Sequence, residues 1–312
     1  MTKIMAIAFN TFKEAVRNRI LYILLVFALL ILAGSGIIGE LTISARERII
    51  KDLGLASINF FGLLIAVFVG IGLVYNELDK KTIYTIVTKP IDRYQFLIGK
   101  YLGLLLTIYV IILVMMFFFL GVIHYQNYTD DEIMTKALWQ KGSGGEWINP
   151  TALDFIGYYV KSVFMSGVKA IGNIFLVYQS EVTRNIIPII LYGCLEMAII
   201  TSFAILYSSF STPTLSALLT IMTFVIGRLN ADIMVFAERL VRKGLETGGD
   251  KFNYYAAKIA ALVTPNLWLF NKRTQVEAEV IGFDIYAVAY AVFYTAAVLF
   301  LAITIFRKRN FK

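Results

Sequence analysis

Histidine and cysteine each occur once, as His124 and Cys194. One thiol excludes an internal disulfide and a thiolate metal cluster, and one imidazole excludes any site that needs two. Charge is also scarce. Only 16% of the 312 residues are charged and 59% are apolar, where an average soluble domain carries about 25% and about 45–50%. A larger soluble core does not explain that imbalance; a chain whose solvent is partly lipid does. No G-x-x-x-x-G-K-[ST] occurs, so the chain does not by itself bind ATP in a P-loop. The nearest approach, Leu97-Ile98-Gly99-Lys100-Tyr101, lacks the first glycine at the required spacing and the hydroxyl residue. There is no H-E-x-x-H, and Gly248-Gly249-Asp250 falls outside the apolar runs, which argues against an intramembrane enzyme. The first apolar run has no A-x-A-like cleavage site and reads as a retained anchor.

What is present is a set of long apolar runs. A helix needs about 20 mainly apolar residues to cross a bilayer. Five segments qualify: Ile20–Ile38, Leu55–Tyr75, Tyr101–Ile123, Ile186–Tyr207 and Ile285–Phe306. The fourth contains Pro188 and Glu196. A sixth, Thr214–Phe236, is interrupted by Arg228 and Asp232, whose four-residue spacing predicts pairing on one helical face.

The net charge of +8 reads as topology, because basic residues flank apolar runs; nucleic acid is not an expected partner. With the N-terminus cytoplasmic, the inside pieces 1–19, 76–100, 208–213 and 307–312 hold 13 basic residues. The outside pieces 39–54, 124–185 and 237–284 hold 15 over more than twice the length. Both termini are therefore expected in the cytoplasm, with the tail RKRNFK the strongest vote.

Two segments are amphipathic. In residues 1–19, Ile4, Met5, Ala8, Phe9, Phe12, Ala15 and Val16 form one face and Lys3, Asn10, Lys13, Glu14 and Arg17 the other. That pattern predicts an in-plane helix leading into the first span. Residues 153–178 place Asp154, Lys161, Lys169 and Asn173 on one side, the pattern of a helix lying along the membrane; a seventh span there would put RKRNFK outside.

Between spans two and three, residues 76–103 read NELDKKTIYTIVTKPIDRYQFLIGKYLG, with eight charges and Pro90 between two apolar runs. The connection is too long for a simple turn between helices, which takes about 2–8 residues. Ile83, Ile86 and Val87 line one side of a short helix beginning near Glu77, and Thr88-Lys89-Pro90 stops it. The bland reading is a solvated loop that only sets topology; the sharper one is a docking surface.

Several stretches together resemble the permease subunit of an ATP-binding-cassette exporter of the type-2 permease family. They are AFNTFKEAVRNRILY at the start, LGLASINFFGLLIAVFVGIGLVYNE followed by KTIY and TKPIDRYQFLIGKYLG, SSFSTPTLSALLT between spans four and five, PNLWLFN before the last span, and the basic tail FRKRNFK. The likeness covers most of the chain except about 125–185. It implies an all-α membrane protein with six spans, an N-terminal in-plane helix and a cytoplasmic coupling helix that docks on a separate ATPase. Glu77, Asp79, Lys80, Lys81, Thr82 and Tyr84 would then lie at that contact, with Pro90 and Arg93 shaping its exit. ATP and Mg would be held by two copies of the ATPase, the pathway would form with a second permease copy or a paralogue, and the location would be a bacterial cytoplasmic (inner) membrane. No cofactor, catalytic residue or metal ligand is expected on this chain.

Residues 125–185 depart from the pattern as an enlarged external segment that suits either a variable loop or a surface for an external partner. Within the spans, Glu196 is expected to face the bundle or dimer interior, as a structural acid or a cargo contact, since charges in spans avoid lipid. Tyr286, Tyr290 and Tyr294 stripe one face of the last span, for packing or for lining a pathway. Two rival functions stay open. A secondary transporter is disfavoured by the lack of an internal repeat, while a mechanotransmission or scaffold subunit is kept open by the long insert.

Overall fold

The computed structural model describes residues 3–40, 46–79, 92–128, 140–141, 147–148, 185–242, 248–272, 282 and 284–308. The helices among them are α1 (Lys3–Val16), α2 (Arg19–Glu40), α3 (Arg46–Asp79), α4 (Arg93–Tyr128), α5 (Ile186–Ser208), α6 (Pro213–Arg228), α7 (Asn230–Arg242), α8 (Gly248–Val263) and α9 (Ile285–Lys308), with a 3₁₀ turn at Leu267–Phe270. The described strands are β1 (Gln140–Lys141) and β2 (Trp147–Ile148), antiparallel, with Gln140 opposite Ile148. Among the described residues five helices are long and apolar enough to cross a membrane, or six if the bent pair α6–α7 counts as one span.

The expected spans 20–38, 55–75, 101–123, 186–207 and 285–306 fall inside α2, α3, α4, α5 and α9. The sixth differs. Thr214–Phe236 is not one helix: it breaks at Leu229, and α6 and α7 meet at 58°. Sixteen residues of α6 rise about 24 Å, short of a hydrocarbon core of about 30 Å. Residues 237–284, expected as a loop, contain the end of α7, all of α8 and the 3₁₀ turn. The amphipathic helix expected over 153–178 lies outside the described residues.

The middle of the bundle is α3, α4 and α5. Ile58, Ile65 and Val67 of α3, Leu104, Ile108 and Met115 of α4, and Ile199, Ile200 and Ile205 of α5 are all buried in one apolar cluster. α5 runs antiparallel to α4: the Tyr101 hydroxyl donates to Ala198 O (3.3 Å) and the Tyr109 hydroxyl to Cys194 O (3.2 Å). In contrast, α2 and α9 lie at the periphery. Val26, Phe27 and Leu30 on α2 and Val292, Phe293 and Phe300 on α9 are exposed, the pattern expected of helices that face lipid or another apolar chain. The inner stripe of α9 is mostly small: Ala287, Ala291, Thr295, Val298 and Ala302, closing on Phe306.

The N-terminal helix forms as expected and buries part of its expected apolar face. Its break from α2 falls at Arg17–Asn18, and the Asn18 side chain accepts from Ile20 N (3.0 Å), satisfying an otherwise orphan donor at the start of α2. Ala8, Thr11 and Ala15 are buried, while Met5 and Phe9 of the expected apolar face stay exposed. The reason is α4. A Cβ added at Gly103 would collide with Ala8 O and sit 2.6 Å from Thr11 Cβ, and one at Gly99 would sit 2.7 Å from Ile7 Cβ. Two glycines one turn apart thus let the α1 backbone rest on the α4 backbone.

Candidate functional site

The segment singled out in the sequence spans the end of α3 and the start of α4. Glu77 and Asp79 lie in the last turn of α3. Lys80, Lys81, Thr82, Tyr84 and Pro90, with the short helix expected there, lie outside the described residues. Arg93 opens α4, and its Nη1 donates to Arg307 O (3.0 Å) and Phe306 O (3.5 Å), backbone acceptors at the end of α9. Three residues on, the Phe96 ring stacks on the Phe306 ring, with centroids 6.2 Å apart and planes 16° apart. A turn further on, Lys100, almost wholly buried, reaches Glu14 of α1 (Nζ to Oε2 3.4 Å) and lies 5.9 Å from the Phe96 ring centroid. Between Arg93 and Gly103, therefore, α4 holds both α9 and α1.

A second polar region lies inside the bundle. Glu196, midway along α5, has a side chain with no exposed surface. Arg228, the last residue of α6, meets it with both arms: Nε donates to Oε1 and Nη2 to Oε2, each at 2.6 Å. The guanidinium also lies 5.3 Å from the Phe224 ring centroid. The expected Arg228–Asp232 pair is not formed. The break at Leu229 puts the two residues on different helices, and Asp232 stands exposed in the first turn of α7. There its charge favours the positive end of the α7 dipole. The planar fork of arginine matches a carboxylate in two parallel bonds, and mutual pairing is how two charges persist at such depth.

From that ion pair a seam of hydroxyls runs down the antiparallel hairpin α5–α6. The Tyr207 and Thr223 hydroxyls bond each other (2.8 Å), as do those of Ser211 and Ser216 (2.7 Å). Ser216, Thr220, Thr223 and Gly227 are the buried stripe of α6. Ser211 also donates to Tyr207 O (2.9 Å) in the turn, and Thr212 is extended, as the residue before Pro213 must be. Small residues that bring backbones close and hydroxyls that bond inside the bundle are the means by which helices associate in lipid.

The hairpin α7–α8 returns to where it left. Asn230 Nδ2 donates to Ala261 O (2.9 Å), and a Cβ on Gly227 would sit 2.8 Å from Pro265 O. The three tyrosines of α9 complete this junction. Tyr290 accepts from Asn266 N (2.8 Å), and Tyr294 donates to Val263 O (3.1 Å). Their rings continue a ladder from Tyr286 through Tyr290 (6.5 Å) and Tyr294 (5.4 Å) to Phe203 (6.0 Å) and Tyr207 (5.7 Å). Tyr290 and Tyr294 are thus engaged in packing, while Tyr286 is 68% exposed.

Sequence reasoning missed two anchors, Asn230 and Lys100. Asn230 just before an apolar stretch, with Asp232 in the following turn, is a helix-start signature that marks the break. Lys100 carried no signal beyond its place at the edge of a span. Among the described residues no group of three or more histidine, cysteine, aspartate or glutamate side chains is placed to hold a metal ion.

A chain whose described residues are almost wholly helical, with five or six apolar helices of membrane-spanning length, is an integral membrane protein. Residues 15–145, from the end of α1 through α2, α3 and α4, match the family model described as ABC-2 family transporter protein. That match, with the apolar helices on both sides of residue 145, is consistent with an ABC type-2 permease, the membrane component of an ABC transporter. Permeases of this family partner with an ABC ATPase subunit and are generally not catalytic themselves. No curated protein matches the chain.

Proposed function

We propose that this chain is the membrane-spanning permease of an ABC exporter, driven by a separate ATPase that docks on residues 77–93. The observation that carries the reading is the family match over the very stretch containing that segment. Its exit is built to carry load: within eleven residues α4 is fixed to α9 through Arg93 and Phe96 and to α1 through Gly99, Lys100 and Gly103. A rigid lever is what a soluble motor needs to move membrane helices.

In this reading Glu77, Asp79, Lys80, Lys81, Thr82 and Tyr84 contact the ATPase, and Pro90 and Arg93 shape the exit. Two ATPase copies hold ATP and Mg. The pathway forms with a second permease copy or a paralogue, in a bacterial cytoplasmic (inner) membrane with both termini cytoplasmic. Residues 125–185 face outward and offer a surface for an external partner.

Charge reversal at the contact tests this. The chain with Glu77→Lys and Lys81→Glu, solubilised in mild detergent, is expected to lose an ATPase that co-purifies with the unaltered chain. If no ATPase accompanies the unaltered chain, the reading is overturned and the segment is a topology signal.

A further inference from the structure

Arg93 begins the helix that leaves the docking segment, yet its guanidinium is spent on another span. The last carbonyls of α9 have no intrahelical donors, and they form the negative end of that helix dipole. Arg93 supplies the donor, at 3.0 Å from Arg307 O. It does so although Arg307 and Lys308 beside it carry charge of the same sign. The attraction is therefore to the helix end itself, where a single nitrogen, Nη1, is shared between two neighbouring carbonyls. One turn along the same face of α4, Phe96 and Phe306, both buried, stack and close the joint. Above this joint the inner stripe of α9 is mostly alanine and lies against α5. The end of α9 is its firm attachment to α4.

We propose that Arg93 is a positioning residue that fastens the exit of the docking segment to the end of α9, with the Phe96–Phe306 stack as the second half of the joint. Displacement of the docking segment is then delivered to the last span directly. The lever rests on the transport reading above; the joint itself does not.

Two measurements separate them, both with Cys194→Ser. In the first, Phe96→Cys with Phe306→Cys is joined in native membranes by a short thiol-to-thiol crosslinker, which needs no ATPase. With both rings removed Arg93 still holds the joint, so adding Arg93→Ala is expected to cut the crosslinking yield several-fold. An unchanged yield overturns the joint. In the second, Ile285→Cys, at the opposite and exposed end of α9, is labelled by a maleimide in the complex with its co-purified ATPase, with and without ATP plus vanadate. The labelling rate is expected to change several-fold with nucleotide in the Phe306-containing chain, to be indifferent to nucleotide in Phe306→Ala, and to respond again in Phe306→Tyr, which keeps the ring. A Phe306→Ala complex that hydrolyses ATP and still responds as the parent does overturns the lever. If no ATPase accompanies the parent, the lever falls with the transport reading, and the crosslink alone decides whether the joint stands.

Discussion

Glu196→Ala is expected to destabilise the bundle by about 3–5 kcal/mol, the usual cost of stripping one partner from a buried ion pair. Among the described residues Arg228 pairs with no second carboxylate, because the break at Leu229 turns Asp232 away onto α7. The stranded guanidinium would have to drag α6 toward water or sit unpaired against Phe224. The loss is read as the temperature at which half the detergent-solubilised protein leaves the monodisperse peak. Glu196→Leu with Arg228→Leu is expected to recover most of it, since two apolar residues of similar volume remove both charges together. A Glu196→Ala protein that withstands heating as well as the unaltered chain does would show that the pair does not hold α6 to α5. Glu196→Gln keeps one acceptor oxygen but removes the negative charge and turns an amide donor toward the guanidinium, and is expected to fall between.

Gly103→Leu has the second largest expected effect, and a local one. The added Cβ falls on the carbonyl of Ala8 and against Thr11, so backbone and not a mobile side-chain tip must give way. Overpacking costs about 1–3 kcal/mol and occasionally more, and here α1 can escape by lifting off α4. The span helices would stay assembled while the N-terminal helix comes free. Thr11, fully buried in the native chain, reports this directly. With Cys194→Ser, Thr11→Cys is expected to resist a water-soluble maleimide and to become reactive once Gly103→Leu is added. Continued protection would mean that α1 does not depend on the glycine seat.

Much of this architecture was legible because membrane spans are written in composition. Five apolar runs became five helices, two of which begin eight or nine residues before the expected span. Glu196 was also legible: a lone acid in the middle of an apolar run has to face inward. Its partner was not. Spacing of four residues is evidence of contact only if the helix continues, and Leu229 is neither proline nor glycine. The break is encoded by Gly227, which lets Pro265 approach, and by Asn230, which ties the start of α7 to the end of α8. Both are tertiary causes. The buried face of α1 was legible only in part. It held Ala8 and Ala15, which are buried, but also Met5 and Phe9, which are exposed; a close glycine seat selects small residues, and Thr11 went inside with the two alanines. Arg93 was expected to shape the exit of the docking segment, but its acceptors were not legible: they are backbone carbonyls more than two hundred residues away, which no side-chain pattern announces.

The most direct test of the central claim is a photo-crosslinking residue placed at Tyr84, within the expected docking surface, and at Phe252 on the exposed face of α8 as a control, in membranes of the native host. The account predicts that an ATP-hydrolysing protein is captured at position 84 and not at position 252. Capture of no nucleotide-binding protein at position 84, or equal capture at both, would contradict it.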